Sequence, residues 1–164
     1  MKTVDEAGVA HFKKHALESE RIAENVLRRL KFDNDTIRKV TRLVRCHDLR
    51  MPATAKSVRR AMNQIGEELF PYYMEVRRAD VLAQSMYQRE EKIENLDQIE
   101  ELYHQIVEDG DCVSLKDLAV TGRDLIASGM KPGKKIGEKL EELLKLVIED
   151  PKLNTKEELL KRLN

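Results

Sequence analysis

Three residues of this chain carry side chains of the kind that hold divalent metals: His15, His47 and Asp80. Each falls on an apolar stripe at helical spacing. His15 heads Ser19, Ile22, Val26 and Leu30. His47 ends Ile37, Val40 and Val44. Asp80 sits among Val76, Ala83 and Tyr87. Imidazole and carboxylate groups that converge from separate helices can bind a metal ion and let it activate water. Two half-buried core histidines, with Asp80 paired to a neighbour such as Arg77, would fit the same spacing. A carboxylate on an inward stripe needs a partner of one kind or the other, because a lone buried charge is costly.

The doublet His47-Asp48 invites a reading as the ligand pair of an HD phosphohydrolase. Adjacent helical residues point about 100° apart. With His47 inward, Asp48 is expected toward the rim. Leu49-Arg50-Met51-Pro52 follows in place of the turn usual after such a doublet.

The second chemistry is phosphate binding. Arg38, Arg42 and Arg45 share another face of the helix that carries His47, and Arg59 and Arg60 follow on the next helix. The planar guanidinium fork suits phosphate oxygens. Further on, Gly129-Met130-Lys131-Pro132-Gly133 forms a tight hairpin that leads into Lys134 and Lys135. Backbone amides at a helix N-terminus favour an anion, and glycine lets it approach. Solvated helix faces and a plain αα-turn are the competing readings. Only Tyr72 and Tyr73 lie near the arginines, so backbone and shape recognition fits better than base stacking. No phosphate loop, GxSxG elbow or nucleophile–base pair is present in the sequence, so no catalytic residue is assigned.

The elements that must position these residues are helices. The chain has 164 residues, is 41% hydrophobic and 37% charged, and holds no Trp. That composition favours a soluble all-α protein. The spacing predicts helices over about 13–30, 36–50, 54–67, 71–90 and 96–107. A short helix over 114–120, one from about 123, a long one over 134–149 and a final one from about 155 complete the set. Residues 1–11 read as extended. The class is an irregular multi-helix bundle, with a helical domain over 1–110 and a C-terminal helical subdomain over 111–164. Net charge is zero, but it is unevenly spread: 21–60 carries twelve Lys/Arg against four Asp/Glu, and 89–111 carries two against nine. A basic segment is the electrostatic footprint of a polyanion partner. Cys46 and Cys112 form no CxxC and read as reduced thiols of a cytoplasmic protein. No leader and no apolar run of membrane length stands out.

Taken together, these stretches resemble a known family. HFKKHALESERIAENVLRRLKFDNDTIRKVTRLVRCHD is similar to the HD-domain segment of bacterial CCA-adding tRNA nucleotidyltransferases. RRADVLAQ resembles their later Asp motif. LKDLAVTGRDLIASGMKPGKKIGEKLEELLKLVIEDPKLNTKEELL is similar to their C-terminal tRNA-binding region, and is the most specific of the three. The resemblance runs from about Thr3 to Leu163 and implies partial HD-domain helices followed by a helical tRNA-binding subdomain. It also implies that a catalytic head, which uses Mg²⁺ to add C, C and A to tRNA 3′ ends, lies N-terminal to this chain, with the family's HD doublet shortly before residue 1. By that alignment His15 matches the histidine after the doublet, His47 a further one and Asp80 the closing Asp. These make an incomplete metal site, and Asp48 is incidental.

The expectation is a chain that holds the tRNA body through phosphate contacts from Arg38, Arg42, Arg45, Arg59, Arg60, Lys131, Lys134 and Lys135. It would not transfer nucleotides by itself, so whether this chain alone is an enzyme stays open. Its partners would be tRNA, the head and, through core left uncovered, a second copy. Two alternatives stand beside it: an HD-type phosphohydrolase with a divalent metal at the residual site, and a non-catalytic helical scaffold.

Overall fold

The computed structural model describes residues 15–84 and 86–163, together with the backbone of 2–4 and 10–12. Eight α-helices are found among the described residues. Two short strands precede them, β1 (Lys2–Val4) and β2 (Ala10–Phe12), antiparallel with Thr3 opposite His11. The protein is an all-α, multi-helix arrangement. Two compact units make it up: Met1–Arg50 with Glu68–Arg89, and Met51–Glu67 with Glu90–Asn164. They do not follow the expected division at residue 110, because helices on both sides of that point share the second unit.

In the first unit, α1 (His15–Arg29) lies against α2 (Asn34–Cys46), and α2 against α4 (Phe70–Ala83). Asp33 caps α2: its carboxylate accepts from the Thr36 amide at 3.0 Å and the Thr36 hydroxyl at 2.6 Å. Ile37, Cys46, Leu69, Phe70, Tyr73, Met74 and Val81 are buried. The Tyr73 hydroxyl donates to the Leu49 carbonyl at 2.6 Å, fixing the chain beyond α2.

The α1 face differs from expectation. Ile22 and Leu30 are 52% and 60% exposed, and Val26 is exposed as well. The half-buried side runs through His15, Ala16, Ser19, Glu20, Ala23 and Leu27. Two contacts tie that side to α2, His15 with His47 and Glu20 with Arg45. One residue along a helix turns the face by about 100°, and the helix has settled about that far from the most apolar stripe. On α4, likewise, Val76 and Ala83 face solvent while Tyr73, Met74 and Val81 are buried.

In the second unit, Thr54 caps α3 (Ala55–Ile65), and Gly66 ends it at φ +104°. α5 runs Arg89–Asp109, starting seven residues earlier than the apolar spacing predicts. The predicted helix over 114–120 is a single 3-10 turn at Leu115–Asp117, after which Leu118 turns extended. Thr121 and Asp124 form a reciprocal capping box at the start of α6 (Gly122–Ala127). The chain reverses through Gly129 and Gly133, at φ +100° and +147°, into α7 (Lys134–Glu149). Thr155 then caps α8 (Lys156–Leu160). Cys112, Leu118, Val120, Leu125, Leu143, Leu144, Val147, Ile148 and Leu159 form one buried cluster.

Candidate functional site

α2 positions the first group of interest. Its helical hydrogen bonding ends at Cys46, with His47 as the cap residue. His47 Nδ1 lies 2.6 Å from the Val44 carbonyl oxygen. A carbonyl only accepts, so Nδ1 carries a proton there and Nε2 turns outward. His47 Nε2 lies 3.0 Å from His15 Nε2, with the rings edge to face at a centroid distance of 4.9 Å. The third member is Asp48, whose Oδ2 lies 3.7 Å from His15 Nε2. The ligand atoms of His15, His47 and Asp48 all fall within 4.8 Å of one another.

Asp80 is elsewhere. Its carboxylate accepts from Arg77 Nη1 at 3.2 Å and from Gln84 Nε2 at 2.8 Å, and Arg77 also donates to the His47 carbonyl at 3.2 Å. Two of the three expected ligands are thus together, and Asp48 stands where Asp80 was expected. The doublet itself was the signal that pointed to Asp48. Both members of the doublet nevertheless reach His15 on α1, His47 at 3.0 Å and Asp48 at 3.7 Å. Two imidazoles and one carboxylate form a donor set that suits a divalent transition metal.

The basic residues divide by partner. Arg38 donates to Asp35 and Arg45 to Glu20, each at 2.6 Å. Arg60 Nε donates to Glu149 at 2.6 Å, and Lys56 pairs with the same carboxylate. These cations hold the Glu149 carboxyl below its usual range. Lys134 sits 3.4 Å from Glu138 with its side chain 90% exposed. Arg42, Lys131 and Lys135 are exposed and make no ion pair among the described residues.

Arg59 departs from the expected basic face. It is 7% exposed. Its Nε donates to the Ile148 carbonyl and its Nη1 to Asp111 Oδ2, both at 2.9 Å. On α3, Arg60 stays at the surface and Arg59 turns into the packed side with Val58 and Met62.

The hairpin that carries the lysines is locally defined. Gly133 precedes α7 without a side-chain cap, so the first amides of α7 are not capped by a side chain. Gly122 lets α6 come close to α7: a β-carbon there would meet Ile136 Cγ2 at 3.1 Å.

The fold class is therefore an all-α module, and among the described residues no helix is long and apolar enough to cross a membrane. A family model described as tRNA nucleotidyltransferase domain 2 matches residues 6–163. The chain belongs to that family, as a tRNA nucleotidyltransferase-related module. No curated protein and no solved structure matches it.

Proposed function

We propose that this chain is a tRNA-holding body of a tRNA nucleotidyltransferase, acting with a catalytic head in the addition of CCA to tRNA 3′ ends. The observation that carries the reading is the α6–α7 hairpin. It offers uncapped helix amides beside three exposed lysines, Lys131, Lys134 and Lys135, within a family match that spans residues 6–163. Amides and ammonium groups at a helix start bind phosphate without reading sequence, as a protein that handles many tRNAs requires. On α2, Arg42 adds a cation with no ion-pair partner among the described residues, and Arg38 and Arg45 add two that would exchange carboxylate for phosphate. Arg59 is left out of this set, because its guanidinium is already engaged inside the second unit.

The test is tRNA binding by the full chain at two salt concentrations, with the Arg42→Glu/Lys134→Glu double variant alongside. Affinity that falls with salt and is lost in the variant supports the reading. Absence of binding at low salt overturns it in favour of a helical scaffold.

A further inference from the structure

We propose that His15, His47 and Asp48 form a binding site for one divalent transition-metal ion, with Asp48 and not Asp80 as its carboxylate ligand. Proton position is the first support. His47 Nδ1–H is held by the Val44 carbonyl at 2.6 Å, which leaves the Nε2 lone pair on the side of His15, 3.0 Å from its Nε2 and in the group whose ligand atoms, Asp48 included, fall within 4.8 Å of one another. Metal-bound histidines usually have their second ring nitrogen fixed in this way. Spacing is the second. Metal–imidazole bonds are about 2.0–2.1 Å. Two nitrogens 3.0 Å apart then subtend about 90° at a shared ion, an angle for neighbouring positions of a metal shell.

Access and competition are the third. The side chains of His15 and Asp48 are 40% and 50% exposed, so an ion can reach them from solvent. Asp80 is committed to Arg77 and Gln84. An Asp48 ligand also contributes negative charge, which offsets the Arg77 guanidinium that donates to the His47 carbonyl. The remaining coordination positions would be filled by water. A direct hydrogen bond between the two imidazoles would explain the His15–His47 distance alone. It would not require the Asp48 carboxylate, and the test turns on that difference.

The experiment titrates Zn²⁺ into the full chain by calorimetry and Co²⁺ by visible absorption, with circular dichroism confirming each variant's fold. The expected result is one ion per chain, with cobalt absorption bands. Asp48→Asn weakens affinity tenfold or more, His15→Gln abolishes binding, and Asp80→Asn leaves the titration unchanged. Zinc should also raise the melting temperature of the wild type but not of His15→Gln. The proposal is overturned if the wild type binds no ion, if Asp48→Asn binds as the wild type does, or if Asp80→Asn carries the loss instead. None of these outcomes depends on whether the chain binds tRNA.

Discussion

Arg59 and Asp111, fifty-two positions apart in sequence, meet as a part-buried ion pair at 2.9 Å, and the same guanidinium also caps the Ile148 carbonyl. One side chain therefore links α3, the segment that follows α5, and the end of α7. Its charge serves the packing of the second unit.

Truncating it should be costly. Removing one partner of a buried pair leaves the other charge and a carbonyl unmatched, and such losses run to about 3–5 kcal/mol. Asp111 keeps some solvent access, so Arg59→Ala is expected near the lower end, about 3 kcal/mol. Arg60→Ala removes a surface pair and should change stability by less than about 1 kcal/mol. Urea unfolding of the two variants makes the comparison. Equal effects would mean that Arg59 is not the internal link.

Cations without internal partners should matter most for RNA. Arg42→Ala is expected to weaken tRNA binding more than Arg38→Ala, because Arg38 must first release Asp35. Removing one phosphate-binding cation should lower the slope of log affinity against log salt by about 1. Binding isotherms at several salt concentrations measure both quantities. An Arg38 effect as large as that of Arg42 would contradict this ordering.

The hairpin gives a paired glycine test. At Gly122 a β-carbon would press on Ile136 at 3.1 Å, so Gly122→Ala should destabilise the chain by about 1 kcal/mol as α6 moves off α7. At Gly137, inside α7, a β-carbon meets nothing within 4 Å. Gly137→Ala should stabilise by about 0.5–1 kcal/mol through helix propensity. Opposite shifts in thermal midpoint are expected, and the same sign for both would refute this packing of α6 on α7.

Burial also sets an alkaline limit. Desolvation pushes the Cys112 thiol up to about 11, whereas an exposed thiol titrates near about 8.5. Between these values the folded chain keeps a proton that the unfolded chain has lost. This contribution to stability is fully present below about pH 8.5 and is lost as pH rises toward 11. Urea midpoints at about pH 8 and about pH 10, on either side of the unfolded thiol's titration, should therefore fall more in the wild type than in Cys112→Ala. A parallel fall in both would remove Cys112 as the source.

Much of the fold was legible in the sequence, because caps, glycines and prolines act locally. Asp33, Pro71, Gly133 and Thr155 each stand at or beside a helix boundary, where hydrogen-bonding or conformational preference put them. The family was legible too, through stretches that run most of the chain's length. Tertiary packing decided the rest. Periodicity offers α1 an apolar stripe, but the contacts with α2 determine which side is covered, and they leave Ile22, Val26 and Leu30 outside. Two neighbouring arginines of equal intrinsic preference separate because only position 59 faces Asp111 and Ile148. Asp48 lies beside His15 through the packing of α1 on α2, which no spacing within the sequence specifies. The sequence by itself determined the all-α class, the capped helix starts and which residue types the helices carry, though not the start of α5 or the 3-10 turn at Leu115–Asp117. Only the folded chain decided which side chains meet, because that depends on helix rotation and on partners dozens of residues away.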